Sequence, residues 1–136
     1  MIYFIGIPGL IPFYLCFYNI DLIFLEFDKE MFVIYSSVIL SFLGAVYWGL
    51  YLNTKNKVAI IFSVIPCVYA FFVLAYDLKF EPTLWYLILG YLVVLGFDFF
   101  FYFREKIIKT DYFILRLMLT TGIMPAHILF IILSIE

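Results

Sequence analysis

SSVILSFLGAVYWG (residues 36–49) is apolar almost throughout, yet it keeps a small residue at every fourth position. Ser37, Ser41, Ala45 and Gly49 form one row, and Gly44 and Trp48 lie beside it. Four-residue spacing puts side chains on one face of a helix, so the stretch predicts a helix with a smooth groove along it. The run extends without a charged residue over residues 31–52. That is long enough for a helix to cross a hydrocarbon core of about 30 Å. The groove implies a second surface packed closely into it.

The rest of the chain reads the same way. Of its 136 residues, 68% are hydrophobic and only 13% charged, and the mean hydropathy is +1.17. A soluble domain carries about a quarter charged residues, roughly twice this share. The charges fall in a few short segments, and the stretches between them predict spans at residues 4–24, 31–52, 58–76, 82–103 and 112–135. The expected fold is therefore an all-α integral membrane protein of five transmembrane helices, with residues 1–136 as a single transmembrane domain. The first span carries Pro8 and Pro12. Turn and cap residues precede the later spans: Asn53-Thr54-Lys55-Asn56, Glu81-Pro82 and Thr110-Asp111. No internal repeat of the transporter kind is visible.

Orientation follows from the basic residues. Alternate loops hold Lys55 and Lys57, then Arg104, Lys106 and Lys109, with Arg116 just inside the next helix. The opposite loops hold Lys29 and Lys79 among Asp21, Glu26, Asp28, Glu30, Asp77 and Glu81. The positive-inside rule then predicts an N-inside, C-outside topology. Trp48, Tyr51, Tyr102 and Tyr112 fall at the predicted inner interface, and Tyr76, Trp85 and Tyr86 at the outer one. The N-terminus has no basic n-region, no A-x-A-like cleavage site and no Arg-rich transit character, so the first span is expected to be retained. A bacterial inner (plasma) membrane is the expected location, with the mitochondrial inner membrane as the alternative.

Few residues suggest chemistry. The one histidine, His127, lies in the fifth span after Pro125. A bis-histidine haem is excluded, and no span supplies clustered carboxylates or thiolates for a metal. An interhelical hydrogen bond near the outer face is the expected role of His127. Cys16 and Cys67 lack a CxxC partner and read as small packing residues. The aromatic run of residues 97–103 reads as lipid-facing and interfacial, since no polar group there would orient a quinone or pigment. No cofactor is expected.

Asp98 and Arg116 stand apart, because both are ionisable at membrane depth. The turn between the fourth and fifth spans centres on Ile107, and the two residues are equidistant from it. An antiparallel hairpin brings them level, roughly 9 Å inside the interface. A structural ion pair is the expected outcome. A proton or ion relay would need a chain of ionisable groups across the bilayer, and the chain here stops at one pair.

The second span also carries a resemblance. Val38-Ile39-Leu40-Ser41-Phe42-Leu43-Gly44, followed by Trp48-Gly49, resembles the signature of an uncharacterised five-span membrane family, a domain of unknown function that includes the mitochondrial transmembrane protein 69. Gly9-Leu10-Ile11-Pro12-Phe13, Ser63-Val64-Ile65-Pro66 and Leu115-Arg116-Leu117 continue it in order along nearly the whole chain. Where the family tends to have His before Trp-Gly, this chain has Tyr47. The resemblance implies a five-helix fold in a bacterial or mitochondrial inner membrane, and no reaction.

These readings converge on a helix-packing interface at Ser37, Ser41, Gly44, Ala45, Trp48 and Gly49. Its partner is either the chain's own third span, through Ala59, Ser63, Cys67 and Ala70, or another protein. The expected partners are other integral membrane subunits and lipid, and not nucleic acid. The expected function is a non-catalytic accessory or assembly subunit of a larger inner-membrane complex, respiratory or energy-transducing. The alternative is a small transporter or channel using Asp98 and Arg116, with His127 on its path. An intramembrane enzyme has the least support.

Overall fold

The computed structural model describes residues 7–18, 21–22, 25–26, 28–76 and 78–135. A 3-10 turn at Ile7–Leu10 leads into a single-turn helix α1 (Ile11–Leu15) and a second 3-10 turn at Cys16–Tyr18. Two-residue strands β1 (Asp21–Leu22) and β2 (Leu25–Glu26) pair antiparallel, Asp21 opposite Glu26. Four long helices follow: α2 (Lys29–Thr54), α3 (Lys57–Ala75), α4 (Phe80–Phe99) and α5 (Thr110–Ile135). A π-helical turn, Phe100–Arg104, extends α4.

Local chemistry sets these boundaries. Asp28 caps α2 by accepting from the Met31 amide at 2.9 Å. Lys55 ends the helix in the left-handed region at φ 56°, and its N–H reaches the Tyr51 carbonyl at 2.7 Å. Asn56 then caps α3 by accepting from Val58 N at 2.9 Å. Two residues thus reverse the chain between α2 and α3. At the other hairpin the π turn closes with Glu105 N donating to Phe100 O at 3.3 Å. Lys106 follows in the left-handed region at φ 52°.

All four long helices are long and apolar enough to cross a membrane. Their outward surfaces carry large apolar side chains such as Phe42, Ile61 and Phe71, each 64% exposed. In water such a surface would aggregate, but in lipid it needs no cover. This is a membrane protein. The expected first span, residues 4–24, is not one continuous helix in its described part, and residues 4–6, 19–20 and 23–24 lie outside the described residues. Pro12 falls in the first turn of α1 and Pro8 in the 3-10 turn before it, and each lacks the N–H that an uninterrupted helix would use. The described piece, residues 7–18, is roughly 20 Å long, short of the hydrocarbon thickness.

That piece wedges between α2 and α5. Tyr35 Oη donates to Gly9 O at 2.9 Å, and Tyr14 Oη to Gly122 O at 2.7 Å. Phe13 meets Phe32 edge-on with centroids 5.5 Å apart, and Phe17 stacks on Phe130 at 4.1 Å. The core lies along the facing stripes of three helices. Phe32, Ser36, Leu40, Leu43 and Tyr47 of α2 meet Leu84, Leu87, Tyr91, Val94 and Asp98 of α4, with Arg116, Ile123 and His127 of α5 completing it. These positions advance by three, four or seven residues, as one helix face must.

Candidate functional site

Gly44 marks a close contact between helix backbones. A Cβ built there would lie 2.8 Å from the Ser63 carbonyl oxygen and 2.9 Å from Pro66 Cγ, both on α3. The groove read in residues 36–49 is therefore filled by the chain's own third helix. Its lining differs from the expected row, however. Ser37 and Gly44 are buried and Ser41 is half-buried, but Ala45, Trp48 and Gly49 are exposed, Trp48 by 46%. A strict four-residue row drifts about 40° per step around a helix of 3.6 residues per turn, so it winds off the contact face. Ser37 and Ser41 donate to Val33 O and Ser37 O at 2.9 and 3.0 Å, so their hydroxyls serve their own helix. On α3, Ala59, Ser63, Pro66 and Ala70 are buried, whereas Cys67 faces outward.

Two polar clusters occupy the core stripe. In the first, Arg116 Nε donates to Asp98 Oδ2 at 2.8 Å, with Nη2 a longer 3.4 Å from Oδ1. Both side chains are almost fully buried, at 3% and 1% exposure. Tyr47 Oη donates to Asp98 Oδ1 at 2.8 Å, so the carboxylate is held from two helices at once. Arg116 Nη2 also reaches Leu43 O at 3.4 Å. The guanidinium lies 5.7 Å from the Tyr112 ring centroid and 6.0 Å from that of Tyr47, within cation–π range. Hence the pair bridges three helices, α2, α4 and α5, and does more than clamp one hairpin.

The second cluster surrounds His127, which is fully buried. Its Nδ1 lies 3.1 Å from Ile123 O, one turn back on α5. A carbonyl only accepts, so Nδ1 donates to it, and Nε2 shares a hydrogen bond with the Ser36 hydroxyl at 2.8 Å. Tyr91 Oη donates to Ser36 O at 2.8 Å and ties α4 to the same point. The rings of Phe32, Tyr91 and Phe13 enclose the imidazole, with centroids at 4.8, 5.5 and 5.9 Å. Every polar atom of His127 is thereby satisfied, in an interhelical contact.

Along α2 the clusters are about 16 Å apart, at 1.5 Å per residue from Ser36 to Tyr47. Leu40 and Leu43 of α2, Val94 of α4 and Ile123 of α5 lie between them, together with the buried Thr120 of α5. The aromatic run also divides. Phe99 and Phe103 are exposed, but Phe101 is fully buried against Tyr47 at 5.2 Å and Phe62 at 5.8 Å.

Sequence reasoning missed Tyr47, Ser36 and Tyr91 as members of these clusters. The available signal was their position on the 36, 40, 43, 47 face of α2 and the 84, 87, 91, 94, 98 face of α4. Among the described residues no three His, Cys, Asp or Glu side chains come together as a metal site. Cys16 is buried, Cys67 is exposed, and neither is in a disulfide.

Fold and clusters together define a polytopic helical membrane protein whose bundle is joined by buried polar contacts. Residues 1–132 match the family described as "Protein of unknown function (DUF3429)", and the chain belongs to that family. No curated protein and no solved structure matches it.

Proposed function

We propose that this protein is a non-catalytic accessory or assembly subunit of a larger inner-membrane complex, respiratory or energy-transducing in kind. One observation carries the reading: the ionisable side chains at membrane depth are engaged inside the bundle. Asp98 and Arg116 are paired and His127 is satisfied, all at 3% exposure or less. What the bundle offers its surroundings is an apolar surface, including the unfilled small-residue row Ala45 and Gly49 beside Trp48. Such surfaces suit neighbouring helices and lipid. A second reading, a small transporter or channel, draws on the alignment of Arg116, Thr120 and His127 along one buried stripe of α5. Purification in mild detergent at native expression separates the two. Co-migration with a large membrane complex is the expected result. A lone oligomer that passes ions when reconstituted would overturn it in favour of transport.

The same proposal takes the segment before α2 as a fifth crossing and the basic loops as the inner side. Five loop Lys and Arg residues, Lys55, Lys57, Arg104, Lys106 and Lys109, stand against Lys29 and Lys79. A reporter active only in the cytoplasm, fused beyond Glu136, is expected to stay silent; a strong signal would reject this orientation.

A further inference from the structure

At the basic end of the bundle a cavity of about 540 Å³ opens between the end of α2 and the start of α5. Leu50 and Asn53 of α2, Ile107 and Lys109 of the connecting turn, and Tyr112 of α5 line it. The Tyr112 side chain lines the cavity, and its buried hydroxyl has no hydrogen-bond partner among the described residues. One turn deeper on the same helix, Arg116 Nη1 is also buried and without a partner. A guanidinium N–H only donates and a phenol O–H donates as well as accepts, so an acceptor is the group that satisfies both. The rim adds charge. Lys109 lines the cavity, and Lys55, Lys57, Arg104 and Lys106 are exposed in the two turns at this end of the bundle, with two acids, Glu105 and Asp111. Glu105 is engaged by Asn56 Nδ2 at 2.9 Å.

An acceptor drawn to this corner would be anionic, and the cavity wall makes it amphiphilic, because Val46, Leu50 and Ile107 continue the polar mouth into the apolar bundle face. We propose that the cavity binds the headgroup of an anionic phospholipid. The phosphate accepts from Tyr112 Oη and pairs with Lys109, and the acyl chains lie along α2. Phosphate bound by a phenol and an ammonium forms charge-assisted hydrogen bonds, and the basic residues at this end of the bundle favour a lipid of net negative charge over a zwitterionic one.

The test uses the full chain in mild detergent, with phosphatidylglycerol or phosphatidylcholine of identical chains titrated and bound lipid counted by native mass spectrometry. Phosphatidylglycerol is expected to bind about tenfold more tightly, because no choline cation opposes the basic residues at this end. Lys109→Gln should shrink that preference to about threefold or less, whereas Tyr112→Phe should weaken both lipids alike. Lys109 is exposed, so Lys109→Gln serves even if the tyrosine variant is poorly folded. Equal binding of the two lipids, or a preference unchanged in Lys109→Gln, would overturn the proposal. Displacement of phosphatidylglycerol by millimolar inorganic phosphate would assign the cavity to a free anion instead, and would equally overturn it.

Discussion

Asp98→Asn, with Arg116 left in place, is expected to strip most of the folded protein from the membrane. The substitution keeps the shape of the side chain and removes its charge, so the guanidinium stays buried without a counter-ion. Breaking a buried pair in this way costs about 3–5 kcal/mol. The double change Asp98→Asn with Arg116→Gln removes both charges and should recover much of the loss. Tyr47→Phe, which deletes one hydrogen bond to the carboxylate at 2.8 Å, should cost less, about 1–3 kcal/mol. Abundance in membranes and resistance to a graded denaturant measure all three. A silent Asp98→Asn would mean that Arg116 escapes to the headgroups, contrary to its 3% exposure. A double variant worse than the single would mean that the charges act separately.

Gly44→Leu is the second large effect. A Cβ alone at this position would approach the Ser63 carbonyl to 2.8 Å, and that atom belongs to a helix backbone that cannot step aside as a side chain can. Overpacking of this kind costs about 1–3 kcal/mol for small increments, and the rest of a leucine side chain adds to it. At Gly49 the same added Cβ meets nothing within 4 Å. Gly49→Leu should therefore leave the isolated protein within about 0.5 kcal/mol of the parent. Comparing the two variants separates the inner contact from the outward row. Equal tolerance of both would show that α2 and α3 are not locked at Gly44. Gly49→Leu that is stable in isolation yet absent from a native complex would locate the partner surface.

How much of this was legible in the sequence varies with the range of the contact. The Asp98–Arg116 pair was readable because a hairpin forces register: residues equidistant from Ile107 meet whatever else the bundle does. Tyr47 was not readable in the same way, since its contact with Asp98 spans 51 residues and depends on how α2 packs against α4. The His127–Ser36 contact, 91 residues apart, is of that kind too. In the small-residue row, the composition located a close approach at Gly44 but the four-residue spacing extended it too far, to Ala45 and Gly49. The first segment was counted as a span on hydropathy, although its two prolines already marked where a continuous helix would fail.

The position of Tyr47 on α2 has one more consequence, in time. Asp98 precedes Arg116 by 18 residues, so at about 5–20 residues per second the carboxylate is made roughly 1–4 s before its counter-ion. Tyr47 was made 51 residues before Asp98. In chain order the phenol is thus the earlier of the two partners of the carboxylate, already present on α2 when the acid arrives and before the arginine follows.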